Sequence, residues 1–106
     1  MFGKFFDTAD VDRFGDWILG EMRKALPPSH DASVKNIGQR ADRLNKQIEQ
    51  QTAVFCKSAK LNIYKKARLA ARVREGMQAD GYPKPFVQSF SIHLLRTIEV
   101  VSKRSS

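Results

Sequence analysis

Hydrophobic residues recur every three to four positions in three stretches of this chain, and prolines separate the stretches. Prolines occur only at Pro27-Pro28 and at Pro83 and Pro85, and helix interiors exclude proline because it lacks an amide hydrogen. No segment alternates apolar and polar residues with a two-residue period. The pattern predicts an all-α protein whose helical stretches cover about residues 10–26, 33–79 and 85–103.

The first and third stretches each present one apolar arc opposite a charged side. The arc of the first stretch consists of Val11, Phe14, Ile18, Leu19, Met22, Ala25 and Leu26. The arc of the third consists of Phe86, Val87, Phe90, Leu94, Thr97, Ile98 and Val101. On the charged side of the third stretch, Ile92 lies among Arg96, Glu99 and Lys103. These arcs predict that both helices pack against a common core.

The central stretch begins with a heptad rhythm, a pattern typical of a seam that packs on other helices. Its seam residues are Val34, Ile37, Ala41, Leu44, Ile48 and Phe55. After one extra four-residue step, the apolar positions continue as Ala59, Ile63, Ala70, Val73 and Met77. Such a step marks either a stutter or a break between two helices.

Two architectures follow from this step. In one, the stretch folds near residue 58 and the chain forms a four-helix bundle. In the other, one long central helix carries a shorter helix on each half and needs a dimer partner to cover its seam. We favour a small bundle of three to four helices. Residues 1–106 are predicted to form a single helical domain, with an apolar N-terminal segment (1–7), a helix stop at Gly81 and a polar tail (102–106).

The arcs and the seam together predict the core. Its expected members are Phe14, Ile18, Met22, Ile37, Leu44, Ile48, Ile63, Phe90, Leu94 and Ile98.

Charge is distributed unevenly along the chain. The net charge is +8, and residues 1–56 contribute none of it, because their eight Lys and Arg balance eight Asp and Glu. Residues 57–74 hold seven cations and no acid. On a helix, part of this segment forms a basic face whose members we predict to bind a partner: Lys57, Lys60, Leu61, Tyr64, Lys65, Arg68 and Arg72. Ordinary solvation of a helix is the alternative explanation of these charges.

No arrangement of residues typical of an active site is present. The sequence lacks phosphate-binding glycine loops, nucleophile motifs and paired metal ligands, and its single cysteine, Cys56, has no intramolecular disulfide partner. We therefore expect no enzymatic activity, cofactor, metal or small-molecule substrate. No apolar run is long enough to span a membrane and no export signal is recognisable, which favours a cytoplasmic location.

These observations favour an interaction module without enzymatic activity. Its expected partner is an acidic protein, or a second copy of the chain bound through the heptad seam. The alternative is a nucleic-acid-binding protein that uses the basic face of residues 57–74, because phosphates bind clustered cations and an exposed ring can stack on bases.

Overall fold

Within the part of the chain that it describes, a computed structural model contains four α-helices. The structure describes the backbone of residues 8–26, 37–58 and 62–105, and the side chains of residues 8–26, 39–57 and 62–103. The helices are α1 (Ala9–Ala25), α2 (Ile37–Ser58), α3 (Ile63–Asp80) and α4 (Lys84–Ser105). This architecture confirms the predicted small all-α bundle.

The predicted break in the central stretch is a separate helix start. Asn62 has an extended backbone (φ −81°, ψ 175°), and its side-chain oxygen accepts a hydrogen bond of 2.7 Å from the amide of Lys65. An asparagine in this position satisfies one of the amides that a helix N-terminus leaves without a partner. Helices α2 and α3 are therefore distinct, as the four-helix architecture requires.

Gly81 ends α3 in the predicted way. Its φ of 90° lies in the left-handed region, which glycine adopts at little cost, and its amide donates to the carbonyls of Gln78 and Met77. Helix α4 begins at Lys84 and continues to Ser105, two residues beyond the predicted end. No glycine or proline follows Lys103 to stop it.

The four helices enclose one core, with α1 packed on α3, α3 on α4, α4 on α2 and α2 on α1. The contacts between α1 and α3 show that these helices run parallel. Asp10 pairs with Lys65 near the start of both helices, and Arg23 pairs with Asp80 near the end of both. Gly76 permits the close approach of these two helices, since a Cβ atom at this position would collide with the side chain of Leu19.

The core contains most of the residues that the sequence predicts. Its most deeply buried side chains are Val11, Ile18, Met22, Leu69, Val73, Met77, Val87, Leu94 and Ile98. Leu44, Ile48 and Phe90 are also buried, whereas Phe14 is half-buried against the core. The side chain of Ile37 lies outside the described residues. Thr52 is fully buried, and its hydroxyl donates to the carbonyl of Ile48 at 2.7 Å.

The prediction that Ile63 belongs to the core is wrong, because its side chain is 85% exposed. Leu69, which the predicted stripe omits, is fully buried in its place. Helix α3 packs between α1 and α4, so its buried arc runs through Leu69, Val73 and Met77. Ile63 falls outside this arc in the first turn of the helix.

An aromatic stack joins α1 to α2. The ring of Phe14 stacks on Phe55 of α2 with 4.8 Å between centroids, and Trp17 stacks on the same Phe14 ring at 5.8 Å. Offset aromatic stacking adds to the gain from burial. Trp17 therefore has a structural contact within the bundle.

Candidate interaction surfaces

Carboxylates of α1 accompany the cations of α3 along the length of their contact. Asp10 lies 3.3 Å from the Lys65 ammonium, Asp12 lies 3.1 Å from Nε of Arg68, and Asp16 lies 2.9 Å from Nε of Arg72. A fourth pair closes the row, with Arg23 of α1 bonded to Asp80 of α3 at 2.7 Å. We call the first three pairs the α1–α3 ladder. It consists of three acids and three cations and carries no net charge.

The ladder exists because both helices repeat their charges with the same period. Asp12 and Asp16 are four residues apart, as are Arg68 and Arg72, so each pair lies on one side of its helix. Parallel packing then keeps both pairs in register. The Arg72 guanidinium binds Asp16 through two nitrogens, at 2.9 and 3.0 Å, which is the planar geometry that arginine offers to a carboxylate.

The arginines change the protonation of their partners. The hydrogen bond from Arg68 is the largest effect on Asp12 and lowers its pKa below the ordinary aspartate value; burial opposes this effect, and the charge of Arg68 adds to it. The hydrogen bond from Arg72 lowers the pKa of Asp16 in the same way. Both carboxylates therefore remain ionised at neutral pH, where they pair with the arginines.

The predicted basic face is divided among different surroundings. Lys65 is half-buried within the ladder. Arg68 and Arg72 bind Asp12 and Asp16 of α1 through their guanidinium nitrogens. Tyr64 is 46% exposed on α3. Lys57 is exposed near the end of α2, a different helix from the other described members of the face. Lys60 and Leu61 lie outside the described residues. Nothing in the sequence stretch itself reveals this division, because the acids that meet the cations precede them by 55 or 56 positions.

The heptad seam of α2 faces the interior of the bundle. Leu44 and Ile48 are 2% and 3% exposed, and Ala41 and Phe55 pack partly buried against the core. The seam packs against α4 and α1 of the same chain. Self-association through these side chains would require the bundle to open.

Helix α4 carries three large apolar side chains on its outer surface. Ile92, Leu95 and Val100 are 53%, 40% and 48% exposed. Ile92 lies one turn from both Leu95 and Arg96, and Arg96 lies one turn from Val100. Together with Glu99, which falls within the same arc and pairs with Lys66 at 3.1 Å, these side chains form one continuous surface. We call it the α4 outer face. In the sequence, Ile92 falls on the charged side of its helix, and this position indicates that the side chain is exposed.

One concave region lies between α2 and α4 beside the end of α1. The cavity has a volume of about 240 Å³ and is lined by Leu26, Ala41, Leu44, Asn45, Phe86, Ser89, Phe90 and His93. Among these lining residues, only His93 has a side chain of the kind that commonly serves as a general base. Ser89 lies one turn before His93 in this lining, but no hydrogen bond joins their side chains, and the described lining offers no carboxylate to orient the imidazole.

Cys56 is half-buried on α2, where burial raises the pKa of its thiol and the charge of Lys66 opposes that effect only in part. A neutral thiol is a weak nucleophile and a weak metal ligand. Within the described part of the chain, no group of three or more histidine, cysteine, aspartate and glutamate side chains could hold a metal ion.

Comparisons with known proteins give no relative for this chain. No family model, no curated protein and no solved structure matches it. Among residues 8–26, 37–58 and 62–105, no helix combines the length and the apolar character that crossing a membrane requires.

Proposed function

We propose that this protein is an interaction module without enzymatic activity, and that its α4 outer face binds an acidic amphipathic helix of another protein. The observation that carries the proposal is the exposure of Ile92, Leu95 and Val100 around Arg96 on one helix surface. Binding an apolar helix face would remove these side chains from water, which favours association.

The chemistry of the surface favours an acidic partner over a second copy of the chain. Arg96 is exposed, and within the described part of the chain it forms no ion pair. A carboxylate on the partner would pair with this guanidinium while apolar side chains cover Ile92 and Val100. Two copies would instead bring together surfaces of a protein whose net charge is +8, and like charges across an interface oppose binding.

The absence of enzymatic activity is part of the same proposal. Small-molecule sites usually enclose about 300–1,000 Å³ and bring several polar groups together, whereas the cavity beside His93 is smaller and mostly apolar. Burial raises the pKa of the Cys56 thiol, which makes it a weak nucleophile. Arg68 and Arg72 of α3 already pair with carboxylates of α1.

A designed helical peptide tests the proposal. The probe is a peptide of about 20 residues with leucines on one face and glutamates along both flanks, compared with the same peptide carrying lysine for each glutamate. We expect the acidic peptide to bind with a Kd in the micromolar range by calorimetry, and the triple variant Ile92→Ala/Leu95→Ala/Val100→Ala to weaken binding at least tenfold.

Val54→Ala is the matched control, because it truncates an apolar residue of α2 that is 57% exposed. We expect this control to bind like the original protein. Equal affinity of the acidic and basic peptides, or an undiminished affinity of the triple variant, would refute the proposal. Circular dichroism of each variant verifies that the helical content is retained.

A further inference from the structure

Helix α2 presents a second surface whose chemistry differs from that of the α4 outer face. Positions 40, 43, 47, 50, 54 and 57 follow alternating steps of three and four residues, so they form one straight row along the helix. All six side chains are exposed. With Lys46 on its flank, the row contains the following residues, which we call the α2 basic stripe: Arg40, Arg43, Lys46, Gln47, Gln50, Val54 and Lys57.

The cations of the stripe lack the partners that the ladder gives to α3. Among the described residues, Arg40, Arg43, Lys46 and Lys57 form no ion pair. The acids of α2, Asp42 and Glu49, lie on the flank of the stripe, each one turn from Lys46, and on a different side of the helix from Arg40 and Arg43. The central row of the stripe therefore carries cations and no acid, and it extends for about 25 Å from Arg40 to Lys57.

We infer that the α2 basic stripe binds the phosphate backbone of double-stranded DNA. Arginine and lysine neutralise phosphates and release bound counterions, and glutamine amides donate hydrogen bonds to phosphate and sugar oxygens. The stripe consists almost entirely of these three residue types. It is straight, and a duplex offers phosphates at regular intervals along an axis of similar length.

Three other polyanions fit the stripe less well. An acidic protein interface relies on buried apolar or aromatic anchors, and Val54 is the only apolar member of the stripe. An anionic membrane surface likewise binds helices that insert apolar side chains. Single-stranded nucleic acid prefers exposed aromatic rings for stacking, and the stripe has none. This inference is independent of the proposed binding at the α4 outer face.

Salt-dependent binding of the full chain to DNA tests the inference. The probe is a fluorescent duplex of about 20 base pairs of mixed sequence, titrated from about 50 mM to about 200 mM salt. Because each neutralised phosphate contributes about −0.9 to the slope of log K against log salt, four cations predict a slope of about −3 to −4. The variant Arg40→Gln/Arg43→Gln should reduce the magnitude of the slope by about two and weaken binding at least tenfold at the lowest salt concentration.

The matched control is Arg13→Gln/Arg74→Gln. It removes the same net charge from exposed arginines of α1 and α3 that form no ion pair with a described residue. We expect this control to keep the original slope. Equal losses in the two variants would mean that net charge alone attracts DNA and would overturn the inference.

Three further outcomes would also overturn it. The first is no binding to duplex at the lowest salt concentration with protein at about 100 μM, a concentration at which even non-specific sites are occupied. The second is tighter binding to the single strand than to the duplex. The third is displacement of the DNA by polyglutamate at equal charge concentration, which would identify the stripe as a site for acidic proteins.

Discussion

Helices α2 and α3 both carry rows of cations one turn apart, yet among the described residues only the row on α3 pairs with carboxylates of another helix that run along it. Arg68 and Arg72 bind Asp12 and Asp16 of α1 across the helix contact. Arg40 and Arg43, which are similarly spaced on α2, extend into solvent and form no ion pair with any described residue. The two rows have the same chemistry and different neighbours.

This difference shows that the density of charge along a sequence does not locate a binding surface. The segment 57–74 is the most basic of the chain, but the bundle places acids of α1 against half of its described cations. Residues 1–56, which include most of α2, carry no net charge, but on the helix Asp42 and Glu49 lie on a different side from Arg40 and Arg43. Surface charge is therefore determined by packing and helical phase as well as by composition.

The largest effect that separates the two helices is expected in the core. Leu69, which lies between Arg68 and Arg72 on α3, is fully buried. Leu69→Ala should lower the free energy of unfolding by about 2–5 kcal/mol, because it leaves a cavity between α1 and α3. Val54→Ala in the α2 basic stripe should change it by less than about 0.5 kcal/mol, since this side chain is mostly exposed. Denaturant unfolding measures both values. Similar losses would mean that Val54 contributes as much to the free energy of unfolding as Leu69 does.

Most of the fold could be predicted from the sequence because its signals are local. Pro27-Pro28 mark the end of α1, and Pro83 and Pro85 mark the start of α4. Gly81 marks the end of α3. The apolar arcs of α1 and α4 identify the buried sides of these helices. The apolar pattern also indicates the break near residue 58. The phase of α3 could not be predicted, because its sequence contains alanines on several sides and only packing between two helices distinguishes Leu69 from Ile63.

The interaction surfaces were less predictable for a different reason. Whether Arg68 is available to a partner depends on Asp12, which is 56 positions away, and no local pattern encodes that contact. The α2 basic stripe does have a local signal in the alternating three- and four-residue steps from Arg40 to Lys57. This pattern identifies an exposed row only when the adjacent seam, which includes Leu44 and Ile48, is known to be buried.

A pair of double substitutions sharpens the comparison between the two rows. Arg68→Gln/Arg72→Gln and Arg40→Gln/Arg43→Gln remove the same charge from the same residue type. The first leaves Asp12 and Asp16 without their partners, so we expect the Tm to fall by roughly 2–5 °C. The second relieves repulsion between neighbouring cations, so the Tm should stay the same or rise slightly. Differential scanning calorimetry distinguishes these results, and an equal fall in both variants would contradict a structural role specific to α3.

The smallest expected effect is the acid dependence of the ladder. Hydrogen bonds from the arginines lower the pKa of Asp12 and Asp16 in the folded protein, so at acidic pH the unfolded chain binds more protons at these positions than the folded chain. Their contribution to stability is therefore complete above the ordinary aspartate pKa of about 3.9 and disappears as the pH falls through the lower folded values. Asp16→Asn removes one of the two contributions. At pH 7 this variant should be less stable than the original protein, and between about pH 5 and pH 2 the two unfolding curves should converge.

Asp42→Asn is the matched control, because Asp42 is exposed on α2 and forms no ion pair with a described residue. A constant difference between Asp16→Asn and the original protein across this pH range would show that the carboxylate of Asp16 does not stabilise the contact between α1 and α3 through its charge.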